Sequence, residues 1–169
     1  MRSSVWNILL YALIFILQIL ICNYLDIGAY IYVCLVPLII LGIPMKTNIN
    51  VTMLAGFGIG LLLDIFAGGI LGLNAAAATT LAAFRGPLFR SSVNRENRNK
   101  VDVPSVSSIG LNNYIVYVTL STLVYLAVYT MLECVSLRPF FFIVFRILIS
   151  LIIDTALMVI ISNSLLDRE

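Results

Sequence analysis

Asp64, Tyr125, Arg146 and Asp154 all stand inside long apolar runs. Carboxylates and guanidinium groups persist in such surroundings when they pair with one another or serve a polar pathway. Asp64 is the most informative of them. It lies in Gly56-Phe57-Gly58-Ile59-Gly60-Leu61-Leu62-Leu63-Asp64-Ile65-Phe66-Ala67-Gly68-Gly69-Ile70-Leu71-Gly72-Leu73-Asn74-Ala75, one acid and a glycine hinge between two apolar runs. Counted along helices at ~1.5 Å per residue from the basic side, Asp64 is ~21 Å deep, Tyr125 ~20 Å and Arg146 ~23 Å. Asp154 is ~11 Å deep by the same count, near Asn74, Thr79 and Thr80. Arg146, Ser150 and Asp154 advance by ~40° per step, so they form one drifting polar stripe. Two chemistries fit these four residues. One is a polar pocket or ion-coupled path. The other, which we favour, is a buried Asp64–Arg146 ion pair that fixes helix register.

Other chemistry finds little footing. The chain has no His, which removes the commonest general base and metal ligand. Cys22, Cys34 and Cys134 form no Cys-x-x-Cys and read as small apolar residues. Gly56-x-Gly58-x-Gly60 lies in an apolar run and lacks the Lys and Ser/Thr of a phosphate loop. No Ser has a base neighbour in sequence. The residues therefore predict no metal, no cofactor and no enzyme.

The elements that must carry these residues follow from composition. The 169 residues are 62% hydrophobic and 11% charged, with a mean hydropathy of +1.09, which places the chain in a membrane. The expected fold is an all-α integral membrane protein, a single bundle of six transmembrane helices over about 5–22, 27–43, 51–66, 69–84, 112–132 and 139–161. Pro37 should kink the second span, and Gly42-Ile43-Pro44 should end it. The first should remain as an anchor, because no small-x-small cleavage site follows it. Six spans put Arg2, Lys46, Arg85, Arg90, Arg95, Arg98, Lys100 and Arg168 on one side, and Arg138 on the other, with Arg146 just inside. The positive-inside rule then places both termini in the cytoplasm.

The third and fourth spans are short, at ~24 Å each against ~30 Å of hydrocarbon. Gly56, Gly60, Gly68, Gly69 and Gly72 should give their hairpin a smooth surface for close helix packing, within the bundle or against a partner helix. The loop 85–111 carries Arg85, Arg90, Arg95, Arg98 and Lys100. It should rest on anionic lipid, at ~1 kcal/mol per basic residue. A net charge of +2 is too small for nucleic acid. Tyr114 and Tyr117 read as an inner interfacial belt, and Phe140, Phe141, Phe142 and Phe145 as an outer one.

Chain length, six spans and the run Asp64-x-x-x-Gly68-x-x-Leu71-Gly72-x-x-Ala75 together resemble the MreD family of rod-shape-determining membrane proteins. The resemblance implies a non-catalytic inner-membrane member of the bacterial cell-elongation machinery for peptidoglycan synthesis. Its partners would be the bitopic protein MreC and, more widely, the RodA glycan polymerase with its transpeptidase and MreB filaments. It also implies a fold similar to the substrate-binding subunits of energy-coupling-factor transporters. The alternative is a small-molecule-binding membrane subunit of a transporter, with an outward-facing pocket.

Overall fold

In a computed structural model, residues 2–24, 31–93, 101–133 and 140–166 are described, and all their regular structure is helical. The helices are α1 (Arg2–Tyr24), α2 (Val36–Leu41), α3 (Ile49–Phe66), α4 (Leu73–Ser92), α5 (Val106–Ile109), α6 (Leu111–Glu133) and α7 (Phe140–Ile161), with a π-helical turn over Ser162–Leu166. Three stretches are long and apolar enough to cross a membrane: Ile49–Phe66, Leu111–Glu133 and Phe141–Ser164.

The last helix shows why these residues demand an apolar surround. Arg146, Ser150, Asp154, Met158 and Ser162 are all buried, so the predicted stripe is the inward face. Phe141, Phe145, Leu148, Ile152 and Ile160 point outward and are exposed. The helix is polar inside and apolar outside. Water would reward the reverse arrangement; hydrocarbon rewards this one.

The predicted second span is not a helix of spanning length. Residues 31–34 form a run outside any helix or sheet, Leu35 already has helical angles (φ −94°, ψ −1°), and only Val36–Leu41 is helical, with Pro37 near its start. The rest of that prediction, 27–30, lies outside the described residues. Val33 to Leu41 are nevertheless buried without a break. Leu35, Leu38, Ile39 and Leu41 join one core cluster with Phe89, Tyr114, Tyr117 and Met158. Cys34, Val36 and Ile40 join the other, with Leu63, Ala77, Ala78, Leu81 and Tyr125. This segment contributes to both core clusters and so joins them. Tyr114 and Tyr117 thus belong to the core rather than to an interfacial belt, whereas Phe141 and Phe145 do face outward.

The hairpin of α3 and α4 depends on two glycines. A Cβ on Gly60 would stand 2.5 Å from the Asn74 carbonyl oxygen and 2.6 Å from the Ala75 backbone. One on Gly56 would stand 2.9 Å from the Ala78 carbonyl oxygen. These atoms are backbone and cannot step aside. Gly68, Gly69 and Gly72 correct the expectation of a continuous small-residue surface, because a Cβ at each meets nothing within 4 Å. Gly68 and Gly72 serve conformation instead, with φ of +64° and +98°. That turn delays the start of α4 to Leu73, beyond the predicted residue 69.

Gly60→Ala should therefore pry α3 from α4 and lower the melting temperature sharply in detergent. Gly58→Ala, whose Cβ meets nothing within 4 Å, should be neutral or stabilising by up to ~1 kcal/mol through helix propensity. Thermal unfolding of the two single variants side by side checks this.

Helix α4 also outruns its predicted end at Phe84. It continues through Pro87 to Ser92, as membrane helices tolerate where neighbours satisfy the freed carbonyl. Arg85 is consequently buried rather than in a loop. Its guanidinium donates to the carbonyls of Ile40 (3.0 Å), Ile43 (2.7 Å) and Pro44 (2.9 Å). A cation at the open carbonyls of a helix C-terminus is favourable, and here it anchors the end of α2. Arg90 is exposed in the last turn of α4. Arg95, Arg98, Lys100 and Cys134 lie outside the described residues.

Candidate functional site

Helix α4 begins at Gly72 with no side-chain cap of its own. Its exposed N–H groups are met by Asp64, one turn from the end of α3. The Asp64 carboxylate accepts from Gly72 N (2.9 Å), Ala75 N (3.2 Å), Asn74 N (3.1 Å) and Asn74 Nδ2 (2.9 Å). An anion at a helix N-terminus is doubly favoured, by hydrogen bonds and by the helix dipole. Four donors match the ~four lone-pair sites of a carboxylate. Asp64 is therefore a cap and has no free site from which to act as a base.

Asn74 relays this anchor to two other elements. Its Oδ1 accepts from Tyr32 Oη (2.8 Å), on the extended segment, and from Tyr125 Oη on α6. The Tyr32 ring stacks on Tyr129 with centroids 4.2 Å apart and 14° between planes, and Tyr129 lies parallel to Tyr125 at 6.5 Å. One carboxylate, one amide and three phenol rings thus connect α3, α4, the extended segment and α6.

The extended segment has its own grip. Successive backbone N–H groups of a strand point to opposite sides, and both sides are read by side chains. On one, Tyr32 N donates to Ser150 Oγ (2.9 Å) and Cys34 N to Asp154 Oδ1 (3.1 Å). On the other, Gln18 of α1 donates from Nε2 to the Val33 carbonyl (3.0 Å) and accepts from Leu35 N at Oε1 (2.7 Å). The registers match: two strand residues span ~6.6 Å and four helix residues ~6 Å. Ser150 and Asp154 therefore meet alternate amides. Irregular backbone at membrane depth is tolerated only where protein satisfies its polar groups.

The polar layer expected from depth is thus divided. Asp64 and Tyr125 are joined through Asn74. Asp154 holds Cys34 rather than approaching Thr79 and Thr80, whose hydroxyls bond within α4 to the Ala75 and Ala76 carbonyls. The expected Asp64–Arg146 pair is not formed. Arg146 Nη1 lies 2.7 Å from Glu133 Oε2, at the end of α6. The helix N-terminus neutralises Asp64 from much nearer in the chain, and the long arginine side chain reaches the acid at the end of α6 instead. Gln18, Glu133, Tyr32 and Tyr129 were not singled out by the sequence, and Asn74, expected beside Asp154, binds Asp64 instead. Gln18 and Asn74 had one available signal, being amides inside apolar runs.

Beside the network lies a cavity of about 180 Å³, bordered by Cys22, Tyr32, Ala67, Gly69, Asn74 and Tyr129 among others. Among the described residues, no charged side chain lines it. The arrangement can hold a small neutral group against an aromatic wall; it offers no nucleophile–base pair. Comparison of the chain with family models, with curated proteins and with solved structures finds no match.

Proposed function

We propose that this chain is a non-catalytic, multi-pass scaffold of the bacterial inner membrane that supports the cell-elongation machinery, as its resemblance to MreD implies. One observation supports this reading above others. The buried polar side chains bond chiefly to the protein's own backbone: Asp64 to α4, Arg85 to α2, and Gln18, Ser150 and Asp154 to residues 32–35. Such an interior fixes one shape and leaves the outer helix faces for lipid and partner helices. In this reading the chain crosses the membrane six times, the second time as an extended segment plus a short helix. The basic residues and both termini face the cytoplasm and anionic lipid, and the chain binds MreC, with RodA, its transpeptidase and MreB in the wider complex.

The cavity favours a second reading, a small-molecule-binding transporter subunit. Its volume of about 180 Å³ is below the ~300–1,000 Å³ usual for small-molecule sites, so it ranks behind.

Complementation separates the two. Deleting the gene in a rod-shaped host should give rounded cells, and the intact chain should restore rods and co-purify with MreC in mild detergent. Normal rods in the deletion strain together with a specific vitamin requirement would reverse the ranking.

A further inference from the structure

We propose that the cavity between α1, the extended segment and the α3–α4 turn is a socket for one aromatic side chain, tyrosine by preference, supplied by a partner polypeptide. The inference rests on the scaffold reading and specifies where that scaffold grips. Size comes first. An apolar cavity of ~150 Å³ holds a single benzene ring, and this one measures about 180 Å³. Chemistry comes second. The stacked Tyr32–Tyr129 pair presents ring surface for offset or edge stacking. Asn74 gives one amide hydrogen to Asp64 and retains a second, which meets no acceptor among the described residues. A phenol oxygen can accept it. With no charge among the described lining residues, a charged ligand would find no partner there. Surroundings come third. Phe66, Ile70 and Leu71, beside Ala67 and Gly69 in the chain, are all more than half exposed. Apolar surface thus continues along the chain from two lining residues, where a partner helix can lie, and a single aromatic anchor seated in a pocket often dominates binding between proteins.

Cys22 borders the cavity and reports on its occupancy. The probe is p-cresol, the tyrosine side chain itself, applied to the full chain in mild detergent with Cys134 replaced by serine. We expect p-cresol to slow N-ethylmaleimide labelling of Cys22 at least 5-fold in a saturable manner, and methylcyclohexane or riboflavin to slow it little. Ala67→Phe should fill the socket from its edge and abolish the p-cresol effect. Gly69→Phe, placed where a Cβ meets nothing within 4 Å, should do the same by an independent route. In membranes, both variants should keep wild-type thermal stability and reduce capture of the single-span partner at least 10-fold. If p-cresol gives no protection, or protects the filled variants equally, the socket is refuted. If wild type and both filled variants capture the partner alike, the socket is refuted and the scaffold stands. If wild type captures no partner, the scaffold falls and the socket with it. Riboflavin protection with unchanged partner capture would replace the socket with a small-ligand site.

Discussion

Asp64→Leu should be the most damaging single substitution in this protein. It strips the acceptors from Gly72 N, Asn74 N, Ala75 N and the Asn74 amide at once, at a largely buried site. Each buried donor left unmet costs ~1–3 kcal/mol, so even after relaxation the loss should exceed ~3 kcal/mol. Asn74 would lose its orientation too, and with it the acceptor for Tyr32 and Tyr125. Asp64→Asn should be milder, since the amide oxygen still meets part of the donor set. The expected readouts are lower melting temperature in detergent and lower abundance in membranes, with leucine worse than asparagine. Adding Arg146→Gln should bring no recovery, because Arg146 pairs with Glu133. Recovery in that double variant would restore the ion pair that depth arithmetic favoured.

Gln18→Met should rank second. Methionine matches glutamine in length, so the core stays filled, and any loss reports hydrogen bonding rather than volume. The Val33 carbonyl and the Leu35 N–H would both be orphaned, at about 2–5 kcal/mol together. Ser150→Ala removes one acceptor, from Tyr32 N, and should cost nearer ~1 kcal/mol. Thermal unfolding gives the ranking. Hydrogen exchange at Leu35 should rise in Gln18→Met far more than in Ser150→Ala.

These two substitutions also mark how far the sequence could be read. An acid in a glycine-rich apolar run was legible as a structural specification, and Asp64 is one. Its partner was misread because depth arithmetic matches charges with charges. The nearest positive end belonged to the helix dipole that begins eight residues later. The inward face of α7 was legible, since a stripe of i, i+4 polar residues has only one place to go. Gln18 passed unnoticed because a neutral amide barely alters the hydropathy of a run. The second span reads as a helix for a related reason. An apolar stretch of eight or ten residues reads alike whether it is helical or extended, and only its partners decide. Those partners, Gln18, Ser150 and Asp154, are 15 to 120 residues distant in the chain. The expected end of the fourth span at Phe84 is overrun because Arg85 is buried against the end of α2, which rewards continuing the helix.

The grip on residues 32–35 carries a consequence for biosynthesis. Tyr32 and Cys34 leave the ribosome more than a hundred residues before Ser150 and Asp154, their amide acceptors. During that interval only Gln18, already made, can serve the strand. Unpaired amides are not tolerated by lipid, so the second segment cannot be released sideways in its final form when it emerges. It must wait in a hydrated or chaperoned setting until α7 arrives, and synthesis of that helix becomes the event that seals the protein's centre. A nascent chain truncated before Ser150 should therefore remain bound to the insertion machinery and be an early target for membrane proteolysis.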